Sequence, residues 1–68
     1  MRLNVNGHPR EVPDGASVAE LLALLGHGPA PRGVAVALNG EVVTRASWDS
    51  TTVTERDRVE VLGAAQGG

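Results

Sequence analysis

The sequence contains no cysteine, and this removes disulfide frameworks, thiolate nucleophiles and cysteine-based zinc sites at once. Its only aromatic residue is Trp48, and no run of basic residues occurs. Nucleic-acid binding calls for clustered Lys or Arg, and single strands add stacking aromatics, so neither mode is expected. No apolar run approaches the length that spans a bilayer, and the start of the chain lacks the charged and apolar blocks of a signal peptide. A non-membrane, cytoplasmic protein is therefore expected. At 68 residues the chain has room for one domain. A domain of this size buries only about 60% of its unfolded surface, too little to enclose a sizeable ligand cavity. Chemistry must then occur at its surface or inside a partner. The two histidines, His8 and His27, adjoin Gly or Pro in turn-like stretches and lack companions for a metal site.

Local patterning is clear where it is present. In "MRLNVNG", Met1, Leu3 and Val5 alternate with Arg2, Asn4 and Asn6, the period of a half-buried strand. Asn6-Gly7 is a hairpin turn signal because both residue types tolerate positive φ. "REV" then reads as a short second strand, closed by Pro13-Asp14-Gly15. In "SVAELLALLG", Ser17 and Glu20 have the spacing of a capping box. Val18, Leu21, Leu22 and Leu25 make one apolar stripe, and Gly26 suits the left-handed residue that ends a helix. "GHGPAPRG" reads as a loop.

"VAVALNGEVV" is a second strand–turn–strand signal, with Asn39-Gly40 at its tip. Val34, Val36 and Leu38 alternate there with Ala35 and Ala37. "TRASWDSTTV" reads as a connector with room for one helical turn. "RVEVL" alternates again, with Val59 and Val61 on one side and Arg58, Glu60 and Leu62 on the other. From Gly63 onward no strand pattern continues. Trp48 is expected to cover one end of the small core, with a partner interface as the second possibility. Glu41, Arg45, Asp49, Glu55 and Asp57 read mostly as a solvated face, and carboxylates without a pocket make no acid–base pair.

Two hairpins thus flank one helix, and a last strand returns. One apolar stripe covers one sheet face. The natural closure lays the last strand parallel to the first in the middle of the sheet, leaving the opposite face open. This is an α+β, ubiquitin-like β-grasp arrangement: a mixed sheet of about five strands with one main helix on one face. Different strand orders remain compatible with the pattern alone.

The chain ends in "AAQGG". Six residues follow Leu62, and fully extended they reach roughly 20 Å. Only Gln66 among them is larger than Ala, so the segment is slim, and Gly67 and Gly68 let another backbone or a nucleophile approach closely. The division expected is a domain over 1–62 and a carrier tail over 63–68. The bland reading of the last two residues is a frayed end. Two terminal glycines arise by chance in roughly 2% of chains this rich in glycine. A β-grasp pattern directly before them favours a handle.

In these segments the chain resembles the ThiS family, the sulfur carriers of bacterial thiamin biosynthesis. The similarity lies in "MRLNVNG" with "VPDGASVAELLALLG", in "VALNGEVVTRASW", and in "ERDRVEVLGAAQGG". No one piece is specific; their order and spacing together are. The sequence departs from the family where Thr44 stands in place of a common proline. It departs again where Arg56, between Glu55 and Asp57, replaces a common glycine. Both departures bear on turn geometry.

The resemblance implies a protein that is not itself an enzyme. An adenylating, ThiF-like activating enzyme using ATP and Mg²⁺ would form an acyl-adenylate on the carboxylate of Gly68. A persulfide donor would supply sulfur, giving a thiocarboxylate that a ThiG-like thiazole synthase consumes. No cofactor would be held permanently. Gly67, Gln66 and Ala65 would form the tail. Strand alternation, apart from the resemblance, sets Leu62, Ala35 and Ala37 on the open face, where Leu62 reads as an anchor for the activating enzyme, the bland alternative being a solitary surface leucine. Carriers for molybdopterin or cysteine synthesis share this chemistry but are usually longer, and the "TRASW" segment favours thiamin. A ubiquitin-like protein modifier joined through Gly68 would also fit the pattern, as would an interaction module with an inert tail.

Overall fold

The computed structural model describes residues 1–27 and 33–63. Five strands form one sheet: β1 (Arg2–Val5), β2 (His8–Glu11), β3 (Val34–Leu38), β4 (Glu41–Val43) and β5 (Arg58–Gly63). One helix, α1 (Val18–Leu24), crosses a single face, and a 3₁₀ turn at Arg45–Ser47 interrupts the connector. The strand order is β2-β1-β5-β3-β4. β5 lies in the middle, parallel to β1 and antiparallel to β3, while both hairpins are antiparallel. This is the closure expected from the sequence, and the physical reason is burial. β5 carries Val59 and Val61, both buried, on its helix-facing side, and a central position covers them from both edges.

The helix begins and ends where its sequence dictates. The Ser17 hydroxyl accepts from the Glu20 N–H at 3.1 Å, and the Glu20 carboxylate accepts from the Ser17 N–H at 2.8 Å. The other free amides of the first turn are also satisfied. Val18 donates to the Thr51 carbonyl at 2.8 Å, Ala19 to that of Trp48 at 3.1 Å, and Leu21 to that of Ser17 at 2.9 Å. The connector after β4 therefore clasps the helix N-terminus, and none of the donors that a helix start leaves open goes unpaired. At the other end Gly26 has φ +92. Its N–H donates to Ala23 and that of His27 to Leu22, the paired bonds of a Schellman cap.

The core is built from Leu3, Val5, Val36, Val59 and Val61 of the sheet, Val18, Leu21 and Leu22 of the helix, and Val12, Ala16, Trp48 and Val53 of the connections. Trp48 is buried, with its indole N–H donating to the Val43 carbonyl at 2.9 Å and the Arg45 guanidinium 4.9 Å from the ring centroid. It closes one end of the core, as expected.

Three local expectations are corrected. His8 opens β2 and pairs with Val5, so it is a strand residue and not part of a turn. A two-residue Asn6-Gly7 turn fixes that register, and Pro9 is tolerated because β2 is an edge strand. Gly63 pairs with Val34 and belongs to β5, because the length of β3 sets the end of the ladder and side-chain pattern does not. Asp57 is partly buried and hydrogen-bonded, accepting from Asn39 Nδ2 at 3.0 Å and from the Thr54 N–H at 2.7 Å. The expected loop over "GHGPAPRG" falls mainly on 28–32, outside the described residues.

The two departures at Thr44 and Arg56 are accommodated in different ways. Thr44 has φ −67, a value proline also adopts, so the backbone here suits either residue. Arg56 has φ +67, the left-handed region that favours glycine. The turn is kept at the expense of local strain.

Candidate functional site

The last five residues, including Ala65, Gln66, Gly67 and Gly68, lie outside the described residues. What the structure places is the ground they leave from. β5 is the central strand and runs to Gly63. Its last residues, Leu62 and Gly63, run on past the end of β1 with β3 alongside.

The sheet face away from α1 is divided in two. Over β1 and β2 it is polar, with Asn4 exposed and Arg2 Nε 2.9 Å from a Glu11 carboxylate oxygen. Over β3, β4 and the last part of β5 it is apolar. There Ala35 sits opposite Leu62, Ala37 opposite Glu60 on one side and opposite Val42 on the other. Leu62 is 69% exposed and Val42 77% exposed. The two alanines leave a trough between these larger side chains, a shallow groove of about 420 Å³ that Asn6, Gly7 and Glu60 also line. The structure thus brings together Leu62, Ala35 and Ala37 on one open face.

Val42 is the member that sequence reasoning missed. A two-residue Asn39-Gly40 turn pairs Leu38 with Glu41 and hence Ala37 with Val42. The hairpin signal therefore already contained it. A second missed residue is Asn6, whose side chain lies across β5. Its Nδ2 donates to the Val61 carbonyl at 3.1 Å, and its Oδ1 accepts from the Val61 N–H at 2.8 Å. Only the Asn-Gly dipeptide marked this position, as a turn.

Among the described residues no group of three or more His, Asp or Glu is placed to hold a metal ion. The groove carries one carboxylate, Glu60, and no nucleophile. Among the described residues no helix is long and apolar enough to cross a membrane.

A five-stranded mixed sheet with β5 central, crossed on one face by one helix, defines the ubiquitin-like β-grasp class. The comparison with solved structures agrees. The crystal structure of the thiamine biosynthesis protein ThiS from Geobacter metallireducens matches with a TM-score of 0.81 and 45% identity, over 93% of each chain. A solution structure of a thiamine biosynthesis protein from the same organism matches with a TM-score of 0.73 and 42% identity, over 91% of this chain and 81% of that one. The profile of the ThiS family matches residues 3–68, and the chain belongs to that family. Among curated proteins, a thiazole synthase from Magnetococcus marinus is 35% identical over 68 residues. That alignment takes in all of this chain but only 20% of the relative, so the chain spans about a fifth of that protein's length.

Proposed function

We propose that this protein is a sulfur carrier for the thiazole of thiamin, acting through the carboxylate of Gly68. The observation that carries the reading is the family match, which spans residues 3–68 and so takes in the terminal Gly67-Gly68. The alignment to part of a thiazole synthase supports the choice of acceptor, since a segment like this chain there shares a polypeptide with that enzyme.

The division of labour follows from the chemistry. A carboxylate resists nucleophiles, so it must first be activated. An adenylating enzyme of the ThiF type joins Gly68 to AMP from ATP, with Mg²⁺ on the phosphates, and releases pyrophosphate. The outer sulfur of a persulfide then attacks the acyl carbon and AMP leaves. A thiol breaks the resulting S–S bond, and the thiocarboxylate stays on Gly68. A ThiG-like thiazole synthase consumes that sulfur and returns the carboxylate. Every catalytic group belongs to the partners, so the chain is a co-substrate and no enzyme. It holds no cofactor of its own, and the need for ATP fits a cytoplasmic carrier.

The body over 1–62, extended by Gly63, serves as the grip, and the residues beyond it as the reach. Gln66 and Ala65 thread the partner's channel, with Gly67 and Gly68 at the reacting end. Leu62, Ala35 and Ala37, together with Val42, form the face against which the activating enzyme docks. An apolar patch beside the departure point lets one contact both hold the body and aim the chain end.

Intact-mass measurement of the full chain tests this. After incubation with ATP, an activating enzyme and a persulfide source, the chain should gain the mass difference between sulfur and oxygen. The same chain lacking Gly68 should not. A chain that stays unmodified, or one recovered joined to lysines of other proteins, overturns the reading. Transfer to a molybdopterin or cysteine precursor in place of thiazole synthase would overturn the choice of pathway.

A further inference from the structure

Both hairpins close on Asn-Gly, and both asparagines have left-handed backbones, φ +52 at Asn6 and φ +51 at Asn39. Each reaches across to β5. At the start of β5, Asn39 donates its main-chain N–H to the Arg58 carbonyl at 2.7 Å and accepts the Arg58 N–H on Oδ1 at 2.9 Å. Towards the other end, Asn6 donates its main-chain N–H to the Val59 carbonyl at 2.8 Å. Its side-chain amide then takes both the N–H and the C=O of Val61.

β1 cannot make that last rung with its backbone, because the chain has already turned away into β2. The amide of Asn6 presents the same donor and acceptor as a peptide group. It extends the β1 edge along β5 by one more rung. Beyond Val61, among the described residues, β5 is paired on its β3 side, where Leu62 meets Ala35 and Gly63 meets Val34. Asn6 therefore decides how far β5 is gripped from both edges.

We infer that Asn6 is a positioning residue: by clamping Val61 it holds Leu62 and Gly63 in the extended form in which the partner meets them. This rests on the carrier reading above. Without the clamp, the grip from both edges ends at Val59, two residues earlier, and the partner must order Leu62 and Gly63 on binding.

The matched control is built into the fold. Asn6→Gly and Asn39→Gly each keep a positive φ accessible and each remove one side-chain grip on β5, at opposite ends. Both are made in the full chain and assayed for adenylation by the activating enzyme with ATP, at a temperature where circular dichroism shows each folded. Asn6→Gly should raise the KM for the carrier about tenfold, the size expected when the ordering of one residue shifts from folding to binding, with kcat unchanged. Asn39→Gly should leave KM unchanged, although it too lowers the melting temperature. Asn6→Asp keeps the acceptor for the Val61 N–H but sets an oxygen against its carbonyl. It should raise KM as well, and it decides the matter if the glycine variant does not fold. Equal KM values for the variants at positions 6 and 39, or an unchanged KM in the position-6 variants, overturn the proposal.

A partner-free measurement separates this from the carrier reading. The ¹⁵N heteronuclear NOE of Leu62 and Gly63 should fall in Asn6→Gly and not in Asn39→Gly. If the unaltered chain is never adenylated, the carrier reading fails, and this relaxation result alone judges the clamp. Unchanged NOE values at Leu62 and Gly63 in Asn6→Gly overturn it.

Discussion

The side-chain amide of Asn39 donates to the Asp57 carboxylate at 3.0 Å, tying the tip of the second hairpin to the turn that leads into β5. The Thr54 N–H donates to the other carboxylate oxygen at 2.7 Å. Partial burial pulls the pKa of this carboxyl upward, but the bonds from Asn39 and Thr54 together outweigh it and hold the group below its ordinary value. A depressed folded-state pKa adds stability that is present above the unfolded value of 3.8 and lost as pH falls through the folded value. Unfolding followed between pH 5 and pH 2 should show this loss in the native sequence. Asp57→Asn should be less stable at neutral pH and should lose less on acidification; equal acid sensitivity of the two would refute the assignment.

Arg56 sits at φ +67 and donates its N–H to the Arg2 carbonyl at 2.8 Å. A left-handed backbone costs a non-glycine residue about 1–2 kcal/mol, part of which glycine returns through its greater unfolded freedom. Arg56→Gly should therefore stabilise the protein by about 0.5–1 kcal/mol. The midpoint of urea unfolding checks this, and a fall in that midpoint would show that the arginine side chain contributes more than its backbone costs.

Leu62 and Val42 are exposed on the same face, so neither holds the core together. Leu62→Asp should cost no more than about 1 kcal/mol of stability, the span of strand propensities. On the carrier reading it should also weaken adenylation at Gly68 through a raised KM, and Val42→Asp should do so in the same sense. Normal activation kinetics in both variants would remove this face from the docking surface.

Trp48 is 6% exposed and is the sole aromatic side chain in the core. Removing it leaves a large cavity and takes away the indole N–H that now reaches the Val43 carbonyl at 2.9 Å. Trp48→Ala should cost about 3–5 kcal/mol, comparable to all the stability that a domain of this size possesses. The far-ultraviolet circular dichroism of the variant should be that of an unfolded chain. Trp48→Phe should fold but melt earlier, having lost one hydrogen bond worth about 1 kcal/mol.

The sequence by itself settled what depends on near neighbours. Ser17 and Glu20 capped a helix because their spacing alone brings each side chain to the other's backbone. Gly26 ended that helix and Asn39-Gly40 set a hairpin register for the same reason: few residues tolerate a left-handed backbone. The side of each strand that faces the helix followed from strict alternation. Even the strain at Arg56 was marked, as an arginine where a glycine is usual. Tertiary structure alone decided where long-range ladders stop and what bridges their gaps. Gly63 joined β5 because Val34, far earlier in the chain, was there to pair with it. Asn6 met Val61, and Asp57 met Asn39, only after two hairpins had closed on one central strand. Such contacts carry no period and no local spacing, so they exist only once the sheet has assembled.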